Sequence, residues 1–298
     1  YLSILLLAAC FPKEDAVEPT PRINKSVMLD AGEYKNTVAF YSLDKAEVVA
    51  EASPMDWDFY IDGDVIRLNY FRSMQVAKFD QSWDKLEDTV GLDFRNLTYD
   101  SYESMSQWEL AEGQIYVVDY GLDNEFNPIG LTSVRFERTT TGIKIWQNAI
   151  GSDYEIFEEV NEASFYYNIR EKRTLDLPKE TEYDVAFGKY TDLVTIDNIT
   201  QDYVIYGAIQ GKALAYYENE PFDSVKTEQF NAIRLMNNKD VLGWDWKNYN
   251  RPKDAYEIVD NRTYLIMSNA GFKYKLRFVS FYNTAGQSGH PTFEWKLL

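Results

Sequence analysis

The feature that most limits what this chain can fold into is the period of its apolar residues, which is two and not 3.6. Ile66, Leu68 and Tyr70 fall on one side of a short run and Arg67 and Asn69 on the other. Gly142 to Trp146 and Thr292 to Leu297 repeat the habit, the latter with Phe293, Trp295 and Leu297 together. Successive side chains of a strand point to opposite faces, so alternation in aromatic and branched residues specifies half-buried antiparallel strands. Helical spacing is scarce, Ser224 to Met236 being the best helix candidate. Asp62-Gly63, between alternating runs, has the composition of a two-residue hairpin turn that needs positive φ. The fold class that follows is all-β.

The alternating segments occur twice. Phe40-Tyr41-Ser42-Leu43 precedes Asp56-Trp57-Asp58-Phe59, and Tyr166-Tyr167-Asn168-Ile169 precedes Glu182-Tyr183-Asp184-Val185, with sixteen residues from Tyr41 to Trp57 and again from Tyr167 to Tyr183. Further on, Tyr116-Val117-Val118 with Gly121 and Val134-Arg135-Phe136 correspond to Tyr264-Leu265-Ile266 with Gly271 and Leu276-Arg277-Phe278. These repeats predict two tandem antiparallel β-sandwich-like domains, 27–160 and 161–298, each of ordinary domain size. Asp58 and Asp184 recur at equivalent places, and residues kept in both copies serve the scaffold. The middle of the second copy is longer by about twenty residues, and loops added to a shared scaffold are where binding sites arise.

The first ten residues, Tyr1-Leu-Ser-Ile-Leu-Leu-Leu-Ala-Ala-Cys10, are an apolar run closed by two small residues and the single cysteine. Nine residues rise about 14 Å as a helix against the ~30 Å of a hydrocarbon core, so the run is the apolar part of a signal peptide, truncated at its start, and not a membrane span. Leu7-Ala8-Ala9-Cys10 looks like a bacterial lipobox, in which the thiol receives diacylglycerol and the chain is cut before it. With no second cysteine for a disulfide, lipid attachment at Cys10 uses the residue. Residues 11–26, with Pro12, Pro19 and Pro21, form a flexible tether. Lys13-Glu14-Asp15 resembles the surface-export signal of lipoproteins in the Bacteroidota, which places the protein lipid-anchored on the outer membrane, facing outward.

A formal net charge of −18 repels phosphate backbones, so nucleic acid is excluded as a partner. One histidine and one cysteine exclude zinc chemistry and leave no Ser/His/Asp or Cys/His set. Asp56, Asp58, Asp62 and Asp64 do not follow the calcium-loop spacing, so no metal site is expected there. No carboxylate pair stands out for glycoside hydrolysis, and the chain is not expected to be an enzyme.

Several blocks resemble the HmuY family, the haem-binding lipoproteins of the Bacteroidota. In the first copy they are Leu29-Asp30-Ala31-Gly32-Glu33-Tyr34, Phe40 to Leu43 and Glu47-Val48-Val49. In the second they are Tyr183 to Phe187 with Tyr190, Gly243-Trp244, Tyr264 to Ile266, Phe281-Tyr282-Asn283 and Thr292 to Trp295. The resemblance implies a non-enzymatic β-domain that binds haem or a related planar ligand for uptake, with an outer-membrane transporter as partner. Members of the family hold haem between two histidines, one of them shortly after the Gly-Trp pair. Here that place holds Asn248 and Tyr249, and the single histidine, His290, lies in the turn into the last strand. Bis-histidine capture within one chain is excluded. Met236 and Tyr249 remain as candidate iron ligands, and Trp244 and Trp246, at alternate positions, as stacking residues that face the same way or as a core edge. Met267, in an apolar strand, is assigned to the core. The alternative is a scaffold that has lost haem and serves as a protein- or glycan-interaction module of an outer-membrane complex.

Overall fold

The structure, a computed structural model, describes residues 24–32, 36–63, 65–96, 110–123, 125, 127–152, 155–196, 198–236 and 238–298. Cys10, the expected signal segment and nearly all of the expected tether lie outside them. The described chain is all-β as expected, with one short α-helix, Thr227–Ala232, among the described residues.

Four antiparallel sheets of four to six strands build the body among the described residues, with a fifth, two-stranded one of Lys247–Asn250 and Ala255–Ile258 beside them. Sheet 1 runs, edge to edge, Glu155–Val160, Ile143–Asn148, Leu131–Arg138, Ile115–Asp119, Gln75–Phe79 and Arg95–Asn96. Sheet 2 runs Arg173–Leu175, Ser164–Asn168, Phe59–Asp62 and Val65–Leu68. Sheet 3 runs Ile199–Gln210, Val185–Ile196, Val38–Ser42 and Glu47–Ala52. Sheet 4 runs Lys25–Met28, Thr292–Leu297, Lys273–Ser280, Thr263–Met267 and Leu214–Glu218.

The cores between them follow from the two-residue period. In Val38–Ser42, Ala39 and Tyr41 pack toward sheet 4 with Phe293 and Trp295, whereas Val38 and Phe40 pack toward sheet 2 with Trp57, Tyr60 and Tyr166. In Phe59–Asp62, Phe59 and Ile61 point the other way, into the core shared with Val134 and Phe136 of sheet 1. Sheets 2 and 3 are therefore inner layers covered on both faces, and the order of layers is 1, 2, 3, 4. The half-buried expectation holds for the outer sheets, where Ile143 and Ile145 or Phe293 and Trp295 face inward. It fails for the inner ones. Arg67 and Asn69, on the polar side of their run, are buried between sheets 2 and 3. Asn69 meets its burial by donating to the carbonyls of Pro54 (2.7 Å) and Trp57 (2.9 Å).

The duplication is visible in register. Tyr116 stands opposite Val134 in sheet 1 as Tyr264 stands opposite Leu276 in sheet 4. The sheets, however, do not part at residue 160. Val38–Ser42 of the first copy pairs with Val185–Ile196 of the second, and Ser164–Asn168 of the second pairs with Phe59–Asp62 of the first. Each of the two tandem sandwiches expected over 27–160 and 161–298 is thus assembled from segments of both copies.

Asp58 and Asp184 fasten this exchange. The Asp184 N–H donates to the Tyr41 carbonyl (2.9 Å) and its Oδ2 accepts the Leu43 N–H (2.8 Å). The Asp58 N–H donates to the Tyr167 carbonyl (2.9 Å) and its Oδ2 accepts the Ile169 N–H (2.8 Å). Each copy's aspartate holds the equivalent strand end of the other, and Arg72 adds a buried ion pair to Asp58 at 2.6 Å. Their recurrence is structural. The turn after Asp62 comes one residue later than expected: Asp62 pairs with Val65, and Gly63 carries the positive φ of 56°.

Candidate functional site

In the second copy a loop, 236–245, runs between the edges of sheets 4 and 3, bridged to Ala215 at one end and Ala208 at the other. Its start is tied by the Met236 backbone, whose N–H donates to the Ala215 carbonyl (2.8 Å) and whose carbonyl accepts the Ala215 N–H (2.9 Å). The chain must leave the helix for this bridge, which is why the helix expected over Ser224 to Met236 is confined to Thr227–Ala232. The middle is held by Lys239, buried against Glu180 at 2.8 Å, while Arg67 donates to the same carboxylate at 2.8 and 2.9 Å. Burial raises the Glu180 carboxyl, but Lys239 and Arg67 outweigh it and hold the group below the usual carboxylate range. Lys239 is pushed down to about 8 by burial, against the pull of Glu180. At the far end Gly243 adopts φ of 56°, and its carbonyl accepts from the Ala208 N–H (2.8 Å) and from Trp246 Nε1 (3.0 Å). A side chain at Gly207 would come within 2.7 Å of that carbonyl, so two glycines permit the loop's close seat on the strand.

Between this loop, Val185–Ile196 and the edge strand Leu214–Glu218 lies a cavity of about 530 Å³, within the range that suits small ligands. Its aromatic wall is Tyr190, Tyr216, Tyr217 and Trp244, with Met236 and Val241 beside them. Asp192, Glu218, Asp240 and Asp245 line it too, and among the described residues no Lys, Arg or His does. Trp244 Nε1 donates to Asp192 Oδ2 at 2.7 Å, which fixes the indole against the core shared by sheets 2 and 3. Arg262, outside the lining, pairs with Asp245 and lies over the Tyr217 ring, 4.7 Å from its centroid. Burial and the nearby carboxylates of Asp192, Asp240 and Asp245 push the Tyr190 phenol well above its ordinary range.

The structure brings together two of the four predicted ligand residues, Met236 and Trp244. Trp246 is 1% exposed, stacked on Phe278 with ring centroids 4.0 Å apart in the core between sheets 3 and 4. Its alternate spacing with Trp244 does not mean a shared face, because the strand begins only at Lys247 and the chain turns at Gly243. Tyr249 is 50% exposed on the hairpin Lys247–Asn250 with Ala255–Ile258, hydrogen-bonded to Asp254 and away from the cavity. His290 joins the last turn to the segment that follows the first described strand, with Nε2 3.1 Å from Asp30 and Nδ1 2.9 Å from the Ser288 carbonyl. Met267 packs with Val225, Phe230 and Leu265 on the outer face of sheet 4. Of the cavity tyrosines only Tyr190 is marked in the sequence, and as part of the resemblance; the run Tyr216-Tyr217-Glu218, two aromatics followed by an acid, is the available signal for the rest.

Beneath the cavity Lys247 is buried with Nζ donating to the Tyr206 carbonyl (2.6 Å), among the rings of Trp246, Tyr256 and Phe281 at 4.6, 5.3 and 5.0 Å. Burial pushes its ammonium down to about 7, with Asp245 opposing.

The family model described as HmuY protein matches residues 33–295, nearly the whole chain. The chain belongs to the HmuY family. Among solved structures it is similar to apo PinO from Porphyromonas gingivitis, at 8% identity over 93% of this chain and 98% of that one, with a TM-score of 0.38. It is also similar to the apo HmuY analogue of Tannerella forsythia, at 11% identity over 93% and 97% of the two chains, with a TM-score of 0.29. No curated protein matches it.

HmuY membership raises haem as a ligand, and the cavity can be tested for it. Met236 offers a thioether of a kind that ligates haem iron, and the aromatic wall suits a ring face. The propionates of the same ring would meet four carboxylates and no cationic side chain of the lining. On charge the lining does not fit haem.

Proposed function

We propose that this HmuY-family chain is a non-catalytic binding lipoprotein of the cell envelope, tethered through Cys10 at the outer membrane and facing outward, that takes up a small ligand with a planar face. The observation that carries this reading is the convergence of Trp244, Tyr216, Tyr217 and Met236 on one cavity. An outer-membrane transporter is the partner to which such a binder would pass its ligand. Haem is the ring the family implies, and Met236 is the candidate iron ligand of the sequence that reaches the cavity; the carboxylates opposing the propionates favour a related ring instead.

Titration of the purified protein with haemin and with iron-free planar aromatics tests this. Saturable quenching of tryptophan fluorescence by a planar aromatic is expected, and Trp244→Ala should abolish it in a variant whose circular dichroism shows that it still folds. For haemin the expected result is a spectrum that Met236→Ala does not alter. If no ring binds saturably at micromolar protein, the small-ligand function is overturned in favour of a protein- or glycan-interaction module. Palmitate labelling of the full chain in a bacterial host, lost in Cys10→Ala, checks the anchor.

A further inference from the structure

We infer that the cavity selects organic cations, specifically a positively charged planar or compact apolar body, and discriminates against anionic rings. This rests on the small-ligand reading above and narrows it to a ligand class. Asp192, Glu218, Asp240 and Asp245 surround apolar surface supplied by Trp244 and Tyr217. The face of an aromatic ring is negative and attracts a cation within about 6 Å of its centroid, most strongly where water is partly excluded. Ring faces and carboxylates therefore act with the same sign, and the overall charge of −18 adds long-range attraction for a cation and repulsion for an anion.

Two further observations separate an organic cation from a metal ion. Among the described residues no group of three or more His, Cys, Asp or Glu side chains is placed to hold a metal. The cavity carboxylates are spread around a wall, which suits a charge carried on an extended body and not a point ion needing six or more oxygens at bonding distance. The chain also supplies its own example of the contact. Arg262 pairs with Asp245 and lies over Tyr217 at 4.7 Å, so a guanidinium already occupies the combination of carboxylate and ring face at the cavity's edge. A ligand amine, amidine or quaternary ammonium would repeat that contact inside, on Trp244 with Glu218 and Asp240.

A matched series of rings of one size tests this: 1-methylquinolinium, neutral naphthalene and quinoline-2-carboxylate, titrated calorimetrically into the purified protein at neutral pH. The cation should bind at least about tenfold tighter than either other ring, and added salt should weaken it alone. Glu218→Gln with Asp240→Asn should lower the cation's affinity about tenfold and the neutral ring's far less, with circular dichroism showing that the variant still folds. Equal affinity for all three rings would overturn the inference and leave the planar-ligand reading standing. Binding of none would overturn both. Tighter binding of the carboxylate would overturn the inference and return haem-like anions to first place.

Discussion

Glu180 is where the buried charge of this protein is concentrated, and its removal should be costly. Lys239 and Arg67 both direct their charge at it from fully packed surroundings. Glu180→Gln leaves two buried cations without a counter-ion, and a loss of about 3–5 kcal/mol in denaturant unfolding is expected. Because Lys239 belongs to the loop that walls the cavity, ligand binding should weaken in the same variant. Lys247 gives a second test, through pH. Its folded ammonium is pushed down to about 7 by burial, from an ordinary 10.5. Between those values the unfolded chain holds a proton that the folded chain does not, so stability rises with pH across that window, and below pH 7 the full cost of burying the charge is present. Lys239, pushed down to about 8, adds to the rise in the same direction. Urea midpoints at pH 7 and pH 9.5 should show the increase in the wild type and a smaller one in Lys247→Met. A flat profile in both would contradict the buried-ammonium assignment.

At the scale of elements, the loop over the cavity depends on backbone that only glycine takes up without strain. Alanine at Gly243 would carry φ of 56° and bring Cβ to 2.9 Å from the Asp240 carbonyl; alanine at Gly207 would bring it to 2.6 Å from the Tyr190 ring. Either change should lower stability by about 1–3 kcal/mol and reduce ligand binding more than Trp244→Phe does, as unfolding and titration together would show. The same elements show what the amino-acid order makes legible. Alternation located the outer strands correctly, since Ile143 with Ile145 and Phe293 with Trp295 face cores on one side only. It could not tell that Arg67 faces a second layer and not water, because period two reports which residues share a face and not what covers it. Trp244 and Trp246 separated for a related reason: two-residue spacing implies one face only in a strand, and Gly243 turns the chain there. The site's tyrosines and carboxylates converge from three segments far apart in sequence, and no local spacing records that.

At the scale of the whole molecule, the duplication was legible and the exchange was not. Similar segments declare which strands are equivalent, yet pairing within a copy and pairing across copies satisfy the same side chains. With Tyr41 to Leu43 held by Asp184 and Tyr167 to Ile169 held by Asp58, neither half has its own complete pair of sheets. Unfolding should follow one transition, with circular dichroism and tryptophan fluorescence coincident, and Asp58→Ala or Asp184→Ala should shift that single midpoint and not split it. Two separated transitions would mean that the copies are stable alone. The pairing of Lys25–Met28 with Thr292–Leu297 carries the exchange to the chain ends. In time, this means that Lys25–Met28 must wait for Thr292–Leu297. Sheets 1 and 2 draw only on residues 59–175 and can close on each other first, whereas sheet 4 is complete only when Thr292–Leu297 has been made, so the two inner sheets meet in a late step.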